Sequence, residues 1–302
     1  MSLLVVGSIG IDTIETPMGK VENVIGGSAI YISLAASFFA APRLVGVCGD
    51  DFPDEGITLL KQHHVDLEGL EIVQGGKTFR WGGKYHLDTN NRDTLFTHLN
   101  VFQTFNPKIP ASYKNSKYVC LGNIDPVLQF RVLEQMEKPS FVVCDTMNFW
   151  IEGKLNELKK TLERVDALVA NDSEVKLLTN ETNIYRAAKK LRMLGPKILI
   201  IKKGEHGAVL LTETTTFLAP AFPLETVYDP TGAGDSFAGG FIGWLAKTDD
   251  VSDENLKRAV VYGSTLASFC VEKFSIENIQ KLVERDIHSR YHAFRALTYF
   301  EE

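Results

Sequence analysis

Short, continuously apolar runs alternate with longer segments of helical periodicity along most of the chain. The apolar runs predict buried strands at 3–7, 43–48, 118–122, 141–145, 167–171 and 198–203. The intervening segments predict helices at 27–40, 53–64, 126–137, 154–164, 172–180 and 183–194. Strands that are apolar on both faces and alternate with helices indicate a parallel sheet covered on both sides. From residue 232 onward the pattern is helical only.

One segment departs from this alternation. Residues 70–105 contain no helical period, and the stretch TFRWGGKYHLD alternates with a period of two. This period puts Phe79, Trp81, Tyr85 and Leu87 on one face of a strand, and Arg80, Lys84 and His86 on the other. We expect a small antiparallel sheet here, joined by residues 13–25. The pattern fits equally a lid over a ligand site and a solvated edge hairpin.

The composition is that of an ordinary globular domain, with 44% hydrophobic and 23% charged residues in a chain of 302. This length fits one large domain, residues 1–302, with a small appendage. The net charge of −6 is spread along the chain without a basic block, which argues against nucleic-acid and membrane partners. The longest apolar stretch, SAIYISLAASFFAA, is too short to cross a bilayer.

The cysteines and the opening residues indicate a cytoplasmic protein. Four cysteines lie far apart without a Cys-x-x-Cys pair, which predicts buried, reduced thiols. The opening MSLLVVGSIG has no basic region and reads as a strand rather than as a signal peptide. The histidines at 63, 64, 98, 288 and 292 have no metal-ligand spacing, so we interpret them as structural or solvated.

The run DPTGAGDSFAGGF, residues 229–241, opens a predicted helix with an unusual number of glycines. Glycine inside a helix costs about 1 kcal/mol relative to alanine, so this composition needs another reason. The free N–H groups of a first helical turn bind anions when side chains leave room. Gly232, Ala233 and Gly234 leave that room, and Asp235 lies beside it. The arrangement suits a carboxylate that takes a proton from a hydroxyl while the amides neutralise a phosphoryl group.

The same run resembles the second signature of the ribokinase-like, or PfkB, carbohydrate kinase family, and the similarity extends over nearly the whole chain. The resemblance implies a three-layer α/β/α domain with a mostly parallel central sheet and a small β lid, formed by about 13–25 and 70–105. It implies transfer of the ATP γ-phosphoryl group to a hydroxyl of a sugar or related small polyol. Asp235 is then the general base, and Gly232–Gly234 form the anion hole. ATP and Mg²⁺ are implied, and a monovalent cation is left open.

On the acceptor side, GGSAIYISLAAS resembles the first family signature, so Gly26 and Gly27 are expected to contact substrate through backbone N–H groups. Tyr31 stands where the family usually has asparagine. Asp12 follows the first strand, where a carboxylate can accept hydrogen bonds from a sugar diol. Ribokinase itself carries an asparagine at the position of Gly10, which argues against a specific ribose site.

Further acceptor contacts are expected from Asn123, after the third predicted strand, and from Arg80 and Trp81 of the lid. A turn asparagine explains Asn123 nearly as well. The segment DTMNFW, residues 145–150, resembles the Asp-x-Asn-x-Arg segment of some relatives. Trp150 replaces its arginine, which argues against an acidic sugar at this point.

On the nucleotide side, Asn171 and Glu174 match a family pair that organises water around Mg²⁺ and the phosphates. Their spacing also predicts a capping box, and we favour both roles, with Glu174 acting on the metal through water. The turn KKGEHGA supplies Lys203, Gly204 and Gly207 beside the nucleotide, and Ser264 matches a position in the adenine pocket.

Several alternatives remain open. A nucleoside kinase could use the aromatic lid face to stack a base, and a phosphosugar kinase could use Arg80 and Lys84. The lid face could instead form a homodimer contact. A binding module without turnover is disfavoured by the intact Asp235, and a dinucleotide dehydrogenase by the lack of Gly-x-Gly-x-x-Gly after the first strand.

Overall fold

The computed structural model describes residues 1–88, 90–299 and 301. Its strands, in chain order, are β1 (Leu3–Val6), β2 (Gly10–Thr16), β3 (Gly19–Gly26), β4 (Pro42–Gly49), β5 (Asp66–Val73), β6 (Phe79–Tyr85), β7 (Arg92–His98), β8 (Tyr118–Leu121), β9 (Phe141–Asp145), β10 (Ala167–Asn171), β11 (Ile198–Lys202), β12 (Ala208–Leu211) and β13 (Thr216–Ala219). Nine of them form a central sheet in the order β13-β12-β11-β10-β9-β8-β1-β4-β5. The seven strands from β11 to β5 run parallel, and β12 and β13 continue that edge antiparallel.

The α-helices are α1 (Ser28–Ser37), α2 (Asp54–Gln62), α3 (Pro126–Gln135), α4 (Asn148–Gly153), α5 (Leu155–Leu162), α6 (Asp172–Thr179), α7 (Ile184–Arg192), α8 (Ala233–Thr248), α9 (Asp253–Cys270) and α10 (Glu284–Thr298). Short 3₁₀ helices cover Asn100–Thr104, Ala111–Tyr113, Gly204–His206 and Ile279–Lys281. The predicted helices are all present, one to three residues shorter at their ends, and α4 is an addition.

The two faces of the central sheet carry separate cores. In β1, Leu4 and Val6 pack with residues of α3 to α7, whereas Leu3 and Val5 pack with α1, α8 and α9. Each strand therefore buries alternate residues against a different helical layer, which explains the continuously apolar strands. The predicted α/β/α architecture with a mostly parallel sheet is confirmed.

Strands β2, β3, β6 and β7 form a separate four-stranded sheet in the order β3-β2-β6-β7, which we call the small sheet. Strands β2 and β3 pair antiparallel, as do β6 and β7, but β2 and β6 pair parallel. The expected antiparallel sheet is therefore mixed, because two hairpins join through strands that run in the same direction.

The predicted segment 70–105 is too long at both ends. Strand β5 is the edge of the central sheet, in parallel register with β4, and its sequence DLEGLEIV is too polar to give a buried-strand signal. At the other end, residues 100–104 form a 3₁₀ helix. Leu87 does not share the aromatic face, because β6 ends at Tyr85 and the Leu87 side chain is 91% exposed.

All four cysteines are free and buried, as their spacing predicts. No helix in the described ranges has both the length and the apolar character needed to cross a membrane.

We predict that Gly239→Ala lowers the free energy of unfolding by about 1–3 kcal/mol, as overpacking does. A Cβ at Gly239, in α8, would overlap the carbonyl oxygen of Ile32 and lie 2.8 Å from the Cβ of Ala35, both in α1. Urea denaturation measures the change. Gly153→Ala is the matched control, because no atom lies within 4 Å of its new Cβ. Equal stability of the two variants would contradict the close packing of α1 on α8.

Candidate active site

The glycine-rich run forms the turn before α8 and the first part of that helix. Gly232, the N-cap residue, has a φ of 76°, which lies in the left-handed region that favours glycine. A Cβ there would overlap the ring of Tyr31, a fully buried residue of α1. The two predicted signatures therefore touch, and Tyr31 supports the turn that presents the first amides of α8.

Asp235 lies in the first turn of α8. Its Oδ1 atom is buried and accepts no hydrogen bond from the part of the chain that the structure describes. Burial, followed by the nearby Asp145 carboxylate, raises the pKa of Asp235 to about 7, although Lys202 and Arg92 oppose the shift. A carboxyl group with this pKa and no protein donor is suited to accept a proton from a bound molecule near neutral pH.

Lys202 occupies the space in front of the α8 amides. Its Nζ lies 3.5 Å from Asp145 Oδ1, and a Cβ added to Gly234 would be only 2.7 Å from it. Burial lowers the pKa of Lys202, but the Asp145, Glu174 and Asp235 carboxylates outweigh burial and raise it above its usual range. Lys202 is therefore a cation at the predicted anion hole.

The sequence analysis selected Lys203, the next residue, instead. Ile200 of β11 packs in the core under α8 and α9, so alternation puts Lys202 on that same face and Lys203 off it. Lys203 follows the strand, and its backbone N–H donates to the Gly207 carbonyl at 2.8 Å. The alternation of β11 is the signal that could have identified Lys202.

Asn171 and Glu174 form the predicted capping box at the start of α6. Glu174 N–H donates to Asn171 Oδ1 at 2.8 Å, and Asn171 N–H donates to Glu174 Oε2 at 2.7 Å. Glu174 is also buried, with 7% exposure, and burial raises the pKa of its carboxyl to about 7. Asp145 adds to that rise and Lys202 opposes it, so Glu174 belongs to the same charge cluster as Asp235.

The remaining nucleotide-side predictions lie at the edge of this cluster. Gly204 has a φ of 54° and lies against Asn90, which is in the connection between β6 and β7. The Asn90 side-chain amide donates a 2.7 Å hydrogen bond to the Glu205 carboxylate. Gly207 has a φ of 85° and lies against the carbonyl of Ala219. Its conformation is therefore explained by the tight turn between β11 and β12. Ser264 is buried within α9.

The predicted acceptor residues Asp12, Gly26 and Gly27 lie together. Asp12 is 4% exposed, and a Cβ on Gly26 would overlap its carboxylate. Gly27 has a φ of 97° and lies against the Ser8 carbonyl, so a side chain fits there poorly. Burial, then Asp229 and Asp235, raise the pKa of Asp12 to about 8. Within the described residues no group donates a hydrogen bond to the Asp12 side chain, which leaves its oxygens for a ligand.

The small sheet sets an aromatic wall beside Asp12. In the parallel register of β2 and β6, Gly10 is opposite Phe79 and Asp12 is opposite Trp81, so the paired side chains share a face. A Cβ on Gly10 would lie 2.9 Å from the Phe79 ring, which fills the place of a side chain at position 10. Farther along the same face, Tyr85 Oη accepts a 3.1 Å hydrogen bond from the Thr231 hydroxyl of the glycine-rich run.

Arg80 points to the opposite face of β6. Its guanidinium donates to Asn23 Oδ1 at 2.7 Å and lies 3.4 Å from Asp51 Oδ2. Asp51 in turn accepts hydrogen bonds from the backbone and hydroxyl of Thr78. Arg80 is thus occupied in a polar cluster, and this arrangement gives no support to its predicted acceptor contact.

Asn123 follows β8 and is held by Trp150. The indole Nε1 donates to Asn123 Oδ1 at 3.0 Å. Because an indole nitrogen can only donate, the amide must direct its NH₂ group elsewhere, as a donor. Trp150, which stands in place of the arginine of the resembled segment, therefore orients the Asn123 amide.

Arg92, at the start of β7, was not singled out by the sequence. Its guanidinium lies 5.6 Å from the centre of the Trp81 ring, and its charge lowers the pKa of both Asp235 and Glu174. Nothing in the local sequence distinguishes it from other exposed cations, because only the fold of the small sheet brings it to the cluster.

Comparison with known proteins agrees with this geometry. The family model described as pfkB family carbohydrate kinase matches residues 2–281. A cytidine kinase from Thermococcus kodakarensis is 30% identical over 80% of this chain and 87% of its own length. An ATP-dependent ribose-1-phosphate kinase from Halopiger xanaduensis is 28% identical over 79% of this chain and 77% of its own.

Among solved structures, a putative ribokinase II from E. coli in complex with ATP and Mg²⁺ has the same fold. It superposes with a TM-score of 0.79 at 19% identity, over 97% of this chain and 99% of its own. The family match, the fold and the joined signatures lead to one conclusion: the chain belongs to the PfkB family of carbohydrate kinases and is an ATP-dependent kinase that acts on a sugar or nucleoside hydroxyl.

Proposed function

We propose that the acceptor is a nucleoside and that its primary hydroxyl is phosphorylated. The observation that carries this proposal is the pairing of Trp81 with Asp12, next to Phe79 at Gly10. An unpaired carboxylate suits the ribose diol, and the adjacent aromatic wall suits a base. The similarity to a cytidine kinase supports the same choice. A phosphosugar is less well served, because Arg80 is occupied by Asp51 and Asn23.

Three elements would position the acceptor. Asp12 accepts hydrogen bonds from the diol, glycine at position 26 leaves room for the Asp12 carboxylate, and the Asn123 amide donates to an oxygen of the acceptor. Trp81 and Phe79 then bound the base. In this scheme the small sheet acts as a lid that selects the acceptor.

Asp235 would serve as the general base. As the acceptor oxygen bonds to the γ-phosphorus, the bond from that phosphorus to the β,γ-bridging oxygen breaks and ADP leaves. The hydroxyl proton passes to Asp235, whose buried Oδ1 has no protein donor. The backbone N–H groups at 232–234, at the positive end of α8, stabilise the charge on the transferred group.

The donor set of the cluster fits Mg²⁺ bound with ATP. Glu174 is a buried carboxylate with one oxygen committed to the capping box, so it would hold the metal through water. When bound, Mg²⁺ supplies charge neutralisation to the phosphates. Activation by a monovalent cation stays a prediction from the resemblance, tested by comparing turnover in potassium and in choline salts.

Location and assembly also stay predictions. The four free thiols fit a cytoplasmic protein. A homodimer through the small sheet is the competing use of its surface, and sedimentation analysis of the purified chain with and without acceptor would test it.

We predict that Trp81→Ala raises the KM for nucleosides about 5- to 150-fold, since stacking of a base is worth about 1–3 kcal/mol. The KM for ATP should change little. The measurement is turnover across a panel of nucleosides, free sugars and sugar phosphates. Arg80→Ala, on the opposite face of β6, is the control and should change nucleoside KM less. Wild-type preference for a sugar phosphate would overturn the nucleoside assignment and leave the kinase family membership untouched.

We predict that Asp235→Asn lowers kcat by roughly 10²–10⁴-fold, which is the usual contribution of general-base catalysis. Asparagine keeps the size of the side chain but cannot accept the proton. Nucleotide affinity should stay the same or improve slightly, because a buried negative charge near the phosphates is removed. Turnover and nucleotide titration on the folded variant measure both effects, and turnover within a few-fold of wild type would rule out Asp235 as the base.

The pH profile gives an independent check on the same residue. A general base acts in its deprotonated form, and the pKa of Asp235 is raised to about 7. With saturating acceptor, kcat/KM for ATP should therefore fall about tenfold per unit as pH drops below the pKa, and level off above it. A flat profile between about pH 5.5 and 8 would contradict this assignment.

We predict that Glu174→Gln weakens the apparent affinity for Mg²⁺ about 10- to 100-fold, as loss of an indirect metal contact does. Glutamine still completes a capping box, so the melting temperature should change little. Mg²⁺ titration of turnover, with thermal unfolding beside it, separates the two roles. Unchanged Mg²⁺ dependence would leave Glu174 with the capping role alone.

A further inference from the structure

The charge cluster at the start of α8 contains one partly buried cation, the Lys202 ammonium, and three carboxylates. Lys202 faces Asp145, Glu174 and Asp235, and Arg92 approaches the cluster from the small sheet. The closest contact of the ammonium, to Asp145 Oδ1, is 3.5 Å, which is long for a charged hydrogen bond. Asp145 Oδ1 already accepts a 2.9 Å hydrogen bond from Thr146 N–H. Lys202 is therefore paired with Asp145 by charge, but no short hydrogen bond to Asp145 uses its N–H groups.

The position of the ammonium is specific. A Cβ built on Gly234 would lie 2.7 Å from the ammonium, so the ammonium is next to the amides that open α8. We propose that Lys202 is a catalytic residue that binds the phosphoryl group during transfer, and that Asp145 is a positioning residue that keeps the ammonium there. The proposal rests on the kinase activity of the family and not on the nucleoside assignment.

The chemistry requires a cation that stays protonated. While the acceptor oxygen bonds to the γ-phosphorus and the bridging bond to ADP breaks, negative charge remains on the transferred oxygens. The ammonium stabilises that charge together with the helix amides, and the hydroxyl proton goes to Asp235. Three surrounding carboxylates hold the pKa of Lys202 above its usual range, so it is not the proton acceptor.

The competing interpretation is that Lys202 only neutralises Asp145. Removing one partner of a buried ion pair leaves an uncompensated charge, so loss of Lys202 alone would damage the protein under either interpretation. The two interpretations differ when both charges are removed together. A purely structural pair should then be restored, whereas a phosphoryl-binding lysine should remain missing.

The experiment compares Lys202→Met, Asp145→Asn and the double variant, with Lys197→Met as the control on an exposed lysine just before the other end of β11. Two measurements are made on each protein: dissociation constants of Mg·ATP and Mg·ADP, and turnover with cytidine or, if cytidine is not used, the best acceptor of the panel. The nucleotide constants require no acceptor, so they remain informative if the nucleoside assignment fails.

We expect Lys202→Met and the double variant to lose about 10²–10³-fold in kcat, as removal of one group that stabilises a developing oxyanion does. Both should bind ATP more weakly relative to ADP, because the lost contact is to the terminal phosphoryl group. Lys197→Met should retain wild-type values. Turnover of the double variant within about three-fold of wild type, or an unchanged ATP-to-ADP ratio, would overturn the proposal. If Lys202→Met does not fold, the double variant decides alone.

Discussion

The active site depends on how buried charges are balanced around Lys202. Asp145, Glu174 and Asp235 are carboxylates withdrawn from water, and burial raises the pKa of each. Lys202 opposes this rise at all three carboxyls and so favours their ionised forms, including that of the proposed base. With Lys202 present, the pKa of Asp235 is about 7, so its carboxyl can exchange a proton near neutral pH. A Cβ at position 234 would lie 2.7 Å from the same ammonium, so the glycine-rich motif and the charged cluster are in direct contact.

Much of the fold followed from local patterns because they report burial directly. The runs around Val5, Cys120 and Val169 are apolar on both faces, and each became a central strand of the sheet. Strand β5 escaped prediction because an edge strand exposes most of its residues and needs no apolar run.

The residues of the candidate site were predicted less completely than the fold. Gly27 and Asp235 are marked by helix starts, where local sequence determines backbone geometry, whereas Asp12 was predicted after the first strand and lies inside β2. Lys202 is one residue from the predicted lysine, and the face of a strand had to be resolved to choose between them. Arg92 could not be chosen at all, since its place depends on the pairing of β7 with β6. The departures from the family signatures became interpretable only in three dimensions: Tyr31 supports Gly232, the Phe79 ring fills the space at Gly10, and Trp150 orients Asn123.

Hydrogen bonds join the β6–β7 hairpin to two loops of the candidate site. Tyr85 meets Thr231 in the glycine-rich run, and Asn90 meets Glu205 in the turn after β11. If ATP and the acceptor bind as proposed, this one hairpin borders both the acceptor wall and the phosphate region. If it swings away, both compartments open to solvent together, and if it closes, both are sealed. Release of the two products would then share a single opening event, and water would reach the phosphoryl group only when the enzyme is also free to exchange its acceptor.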